Sequence, residues 1–122
     1  MKPFIIAATL FGAFGVINGA FGAHALEDKL DPDMLEVWHT AVRYQMYHVV
    51  ALFGTAWLTT EVSSSAVTVA GWSFIAGVLI FSGSLYILAL SGVKWLGAIT
   101  PIGGVTMIVG WIALLIASLS LS

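Results

Sequence analysis

Four long apolar runs, separated by short polar links, organise the chain: residues 3–26, 40–60 (interrupted by Arg43), 66–90 and 95–121. A bilayer core about 30 Å thick needs about 20 helical residues at 1.5 Å each, so each run is long enough to cross. The strict alternation of a barrel strand is absent, and lone strands leave backbone groups unsatisfied in hydrocarbon, so each run is predicted to be helical. The expected fold class is an all-α membrane protein, a four-transmembrane-helix bundle forming one domain over residues 1–122 and crossing the membrane several times.

Composition strengthens this picture. Hydrophobic residues make up 60% of the chain and charged residues 8%, with a mean hydropathy of +1.04. Soluble domains carry about 25% charged residues, and a chain of this size cannot hide so much apolar surface in one small core. The net charge of −2 offers no basic surface for nucleic acid. No cysteine is present, which removes disulfides, thiolate metal sites and cysteine nucleophiles. The first run follows Lys2 and ends near Ala23-His24-Ala25, an A-x-A cleavage pattern. Its apolar part exceeds the 7–15 residues of a signal sequence, so it is read as a retained helix.

The links carry start and stop signals. Residues 26–39 hold five of the six acids, and within them Asp31-Pro32-Asp33 predicts a helix start with Asp31 as N-cap and Pro32 at the first position. That helix is expected to run on into the second apolar run. Gly92 suits a C-cap after the third run. In the first run Gly12, Gly15, Gly19 and Gly22 form a stripe that lets another backbone approach closely. Pro101 lies one turn into the fourth run, so the helix is expected to bend or begin there, with a hydroxyl from Thr100 or Ser84, or a water, on the carbonyl of Gly97.

Polar residues cluster at one end of these runs. The stretch TAVRYQMYHVV, residues 40–50, crowds Arg43, Tyr44, Gln45, Tyr47 and His48 into six positions. With alternating helix directions, counting 1.5 Å per residue from Ala25 and from Thr40 puts Asn18 roughly 10 Å deep and His48 roughly 12 Å deep. The two are therefore expected to meet, with Gln45, Ser82 or Tyr86 around them. Ser82, Ser84, Tyr86 and Thr100 come from the other hairpin at similar levels, and His24 and Tyr44 lie nearer the surface. Asn18, His24, Tyr44, Gln45, His48, Ser82, Ser84, Tyr86 and Thr100 thus outline a polar, one-sided vestibule. Each also has a purely structural account. Tyr44, Tyr47 and Trp38 suit an aromatic belt, Asn18 suits helix–helix bonding, and His24 suits a helix C-terminus. Arg43 either snorkels or pairs with Glu27, Asp28 or Glu36. An ionisable residue inside a span, such as His48, is by default a functional hypothesis.

The stretches GAFGAHALEDKL, TAVRYQMYHVVALF, FSGSLYILAL and GAITPIGG resemble the signatures of a bacterial membrane family, domain of unknown function family 423, with transmembrane protein 256 as a eukaryotic relative. The resemblance covers essentially the whole chain. It implies a small four-helix integral membrane protein and brings no activity, cofactor or site assignment.

Two functional classes follow. In one, the vestibule binds or passes a small solute, ion or lipid headgroup. In the other, the chain is an accessory subunit packed in a homo-oligomer or larger membrane complex. No H-x-x-x-H pair, carboxylate pair or nucleophile motif stands in a span, so neither an enzyme nor a metal or cofactor site is expected. The lipid bilayer is the one partner that composition demands.

Overall fold

The computed structural model describes all residues, 1–122, and contains only helices. Helix α1 runs over Lys2–Leu26; it is α-helical over Lys2–Val16, π-helical over Ile17–Gly22, and closes with the turn Ala23–Leu26. Helix α2 spans Pro32–Glu61 and α3 spans Ser65–Ser91. A 3₁₀ turn, Lys94–Ala98, leads into α4, Thr100–Ser118.

The ends form where local chemistry places them. The Asp31 side chain accepts the Met34 N–H at 2.9 Å, and Pro32 occupies the first turn of α2, as the Asp-Pro-Asp signal predicts. The Ser64 hydroxyl caps α3 by accepting from Ala66 N–H. Gly92 ends α3 in the left-handed region at φ +72°, where a side chain is disfavoured, and returns its N–H to Leu88. α4 begins at Thr100, with Pro101 in its first turn, rather than bending at the proline, because the preceding residues take the tighter 3₁₀ form.

Three stretches are long and apolar enough to cross a membrane: Lys2–Leu26, Ser65–Ser91 and Lys94–Ser118. α2 is the longest helix but the least apolar, carrying Asp33, Glu36, Arg43 and Glu61.

Packing is uneven around the bundle. The most extensive interface joins α3 to α4, followed by α2 with α3 and α1 with α2. α1 barely touches α3. The α3–α4 interface is close because glycine faces the partner. A Cβ on Gly103 would overlap the backbone nitrogen of Phe81, and one on Gly110 would lie 2.7 Å from the Phe74 ring. The end bearing the chain's N-terminus is filled by Phe4, Ala8, Ala51, Leu52, Ala56, Ala70, Phe74 and Ala113. The buried polar side chain within that cluster, Thr55, bonds back to the Ala51 carbonyl of its own helix at 2.7 Å, so no polar side-chain bond crosses between helices there.

Candidate functional site: a cleft between α1 and α3

The loose contact between α1 and α3 leaves a cleft of ≈ 230 Å³ floored by α2. Asn18, Gln45, Ser82 and Tyr86 line it together with Phe11, Phe14, Val78 and Leu79. Gln45 is its centre. The carboxamide N–H of Gln45 donates to the Phe11 carbonyl at 2.8 Å, and its oxygen accepts from the Tyr86 hydroxyl at 2.6 Å. One turn toward the N-terminus of α2, the Ser82 hydroxyl donates to the Ala41 carbonyl at 2.7 Å. The Asn18 side chain lies beside the Tyr86 hydroxyl oxygen.

Glycine makes these bonds possible. The Phe11 carbonyl that Gln45 reaches lies four residues before Gly15, and on a helix the side chain at that offset covers the carbonyl. A Cβ on Gly15 would overlap Met46 and come within 3.5 Å of the Gln45 amide nitrogen. The same arrangement recurs one turn on. Trp38 donates its indole N–H to the Asn18 carbonyl at 2.9 Å, four residues before Gly22, whose Cβ would sit 3.0 Å from the indole ring. Asn18 is inside the π-helical turn, where its carbonyl also accepts from Ala23 N–H. The stripe therefore does more than shorten the helix separation: it bares two backbone acceptors to donors on α2.

Trp38 is buried rather than set at a bilayer surface, and its ring lies 4.7 Å from that of Tyr86. Its part in the site was hidden in the sequence, although an indole N–H that becomes buried must find an acceptor.

The other expected site residues divide into three groups. Ser84 and Thr100 share a hydrogen bond of 2.7 Å that ties α3 to the start of α4, on the far side of α3 from the cleft. Thr100 also donates to the Leu96 carbonyl at 3.3 Å, and no side chain donates to Gly97, so the expected acceptor is replaced by one a residue earlier. The 3₁₀ turn accounts for this shift, since it rotates the carbonyls ahead of Pro101.

His48 is buried and does not meet Asn18. Its Nδ1 donates to the Tyr44 carbonyl at 2.6 Å, and its Nε2 accepts the indole N–H of Trp111 at 3.1 Å. Because Nε2 must offer a lone pair to that N–H, the ring is the neutral Nδ1–H tautomer. Phe74 closes the pocket 5.5 Å from the imidazole. The expectation of an Asn18–His48 pair is corrected by the register of α1 on α2. Gly22 faces Trp38, Gly19 faces Val42 and Gly15 faces Met46, so Asn18 is level with residue 43. His48 is about five residues further along, roughly 7 Å. Depths counted from Ala25 and Thr40 took those residues as level. In fact α2 starts at Pro32, directly after the short link, and its first turns already flank the end of α1.

His24 and Tyr44 lie outside the cleft. The His24 side chain is 86% exposed, 3.7 Å from Glu27. The Tyr44 ring meets Tyr47 edge to face and packs at a tilt on Phe81, and only its backbone carbonyl serves His48. Arg43 pairs with Glu36 at 2.7 Å, both side chains exposed. The Arg43 guanidinium, by hydrogen bond and by charge, holds the Glu36 carboxyl below its ordinary range. Every fully buried side-chain polar atom has a partner. No group of three or more His, Asp or Glu side chains is placed to hold a metal ion.

Residues 18–104 match the family described as Protein of unknown function (DUF423), and the chain belongs to that family. It is 49% identical over 119 residues to the UPF0382 membrane protein YwdK of Bacillus subtilis (strain 168), covering 97% of each chain. It is 51% identical over 120 residues to the UPF0382 membrane protein SAB0533 of Staphylococcus aureus (strain bovine RF122 / ET3-1), covering 97% of this chain and 96% of that one. A UPF0382 membrane protein of Staphylococcus epidermidis (strain ATCC 12228 / FDA PCI 1200) is 50% identical over 119 residues. No solved structure matches the chain.

Proposed function

We propose that this member of the family is a four-span protein of the bacterial cell membrane that binds a small polar group in the cleft between α1 and α3. Membrane residence follows from the three long apolar helices and from relatives called membrane proteins. The fourth crossing is α2. Its charged residues Asp33, Glu36 and Arg43 fall in its first half and Glu61 at its last residue, leaving residues 44–60 free of charge. About 17 residues lies at the short end of what crosses a bilayer, and tucking the Arg43–Glu36 pair at the interface extends it.

The observation that carries the binding role is the convergence of four polar side chains in a hollow between two helices that hardly touch. Helix bundles in lipid gain stability by close packing, so a mostly apolar hollow with amide and hydroxyl groups among its walls runs against packing alone. The apolar plug around Phe4, Leu52 and Phe74 favours binding over passage through one subunit.

Gly83 supplies the test, because it lines the cleft and an added Cβ there meets nothing within 4 Å. Native mass spectrometry of the full chain released from its own membranes is expected to show a bound small molecule at one per chain. The adduct is expected to vanish in Gly83→Leu while helical circular dichroism stays unchanged. Bare protein in both samples would count against the cleft. That result would leave an accessory role, which the internal pairing of every buried polar atom also accommodates.

A further inference from the structure

We infer that the cleft takes an uncharged amphiphile from the lipid phase, by the hydroxyl and ester-carbonyl region of an acylglycerol such as diacylglycerol. This rests on the proposed binding role and narrows it by entry route, charge and hydrogen-bond pattern.

Entry is sideways. The lips of the cleft are Phe14 on α1 and Leu79 on α3, which are 56% and 60% exposed on the outer face of the bundle. A ligand reaching Gln45 between them passes apolar side chains, and any part it leaves outside lies along them. The volume is decisive for what stays outside. At ≈ 230 Å³ the hollow is smaller than the roughly 300–1,000 Å³ of sites that enclose a drug-sized molecule. It accommodates a headgroup-sized fragment and excludes acyl chains.

Charge is selected against. Tyr86 is the one ionisable residue in the lining, and no cation or carboxylate faces it from α1, α2 or α3. Arg43 and Glu36, the charged residues of α2 closest in sequence to Gln45, are committed to each other on the exposed face of α2. His48 spends both ring nitrogens on Tyr44 and Trp111. A phosphate or ammonium group would enter without a counter-charge, and burying an unpaired charge is prohibitive.

The unspent hydrogen-bonding capacity is of both kinds. Gln45 uses one of its two N–H groups on Phe11. The Asn18 carboxamide, half-buried at the rim, keeps its oxygen and at least one N–H without a protein partner. Such groups are costly to leave unpaired against hydrocarbon. A ligand presenting only acceptors, such as a ketone, satisfies the free N–H groups and leaves the Asn18 oxygen unpaired. A hydroxyl next to an ester carbonyl satisfies both kinds.

The test uses the full chain in phosphatidylcholine nanodiscs. Diacylglycerol, phosphatidic acid and phosphatidylcholine probes, each carrying the same diazirine on one acyl chain, are photolysed at equal trace concentration, and the labelled peptides are mapped. The diacylglycerol probe is expected to label the segments around Phe14 and Leu79 about fivefold more than the other two, the factor one hydrogen bond carries. That excess is expected to disappear in Asn18→Leu and in Gly83→Leu, the second at a position where an added Cβ meets nothing within 4 Å. If a charged probe labels best and responds to both substitutions, the ligand class is overturned while the cleft stands. If no probe responds to either substitution, and native mass spectrometry shows no adduct, both readings fall.

Discussion

His48 and Trp111 show how one residue's chemistry ties two helices together. The imidazole is held from both sides, by a carbonyl of its own helix and by an indole N–H from α4. The first bond is local, since a side chain four residues on from a carbonyl is within its reach. The second spans 63 positions and fixes α4 against α2. Interhelical hydrogen bonds in membranes average about 0.6 kcal/mol and reach about 1.7 kcal/mol. Trp111→Phe is therefore expected to lower stability by about that amount, measured as a shift in unfolding by a denaturing detergent titrated into mild-detergent micelles. His48→Leu is expected to cost less or to stabilise, because the Trp111 indole is half exposed and the imidazole's own polar burden is removed. In the double variant the two effects should not add, and strict additivity would show that the 3.1 Å contact carries no energy. His48 stood out in the sequence as an ionisable residue in an apolar run. Its partner did not, since Trp111 reads equally well as one more lipid-facing aromatic.

At the scale of elements, glycine separates into two kinds by what lies opposite. Gly103 on α4 and Gly77 on α3 face backbone and buried side chains of the partner helix, whereas Gly83 and Gly54 face open space. Gly103→Ala is expected to destabilise by roughly 1–3 kcal/mol, because the added methyl must displace the backbone of Phe81. Gly83→Ala is expected to be neutral or to stabilise by up to about 1 kcal/mol, since glycine is the poorer helix former. The same detergent titration ranks the two, and equal costs would contradict the packing described. Spacing in the sequence pointed to the glycines of α1, and they do approach α2, with Gly15 and Gly22 opening the carbonyls of Phe11 and Asn18. The glycines of the tightest interface, α3 with α4, carry no such regular stripe in either helix, so only the pairing of the two helices identifies them.

For the whole molecule, the four crossings proposed above would set which loops share a side. The chain lacks cysteine, so single replacements provide unique labels. Ser63→Cys and Ser120→Cys are expected to react with an impermeant maleimide from one face of sealed membrane vesicles. Asp28→Cys and Ser91→Cys are expected to react from the opposite face, all four positions being exposed. Labelling of Asp28→Cys and Ser63→Cys from the same face would mean that α2 lies along the membrane instead of crossing it. The cleft also belongs to this scale, because it exists only where α1 leans on α2 and stands away from α3.

Much of this protein is dictated by local rules that a sequence displays. Apolar length and the scarcity of charge require helices in a membrane, Asp31 and Pro32 start α2, Gly92 ends α3, and Pro101 stands in the first turn of α4. Those signals act within a few residues, through backbone dihedrals, capping bonds and burial. Which polar residues meet depends instead on how one helix is set lengthwise against another. A link of five residues, Glu27–Asp31, brings the first turns of α2 beside the end of α1. The resulting offset of a few residues moves Asn18 from His48 to Tyr86 and leaves His48 to Trp111. Helical periodicity states the face on which a residue lies; the register between helices is decided by packing across the whole interface, and that belongs to the tertiary structure alone.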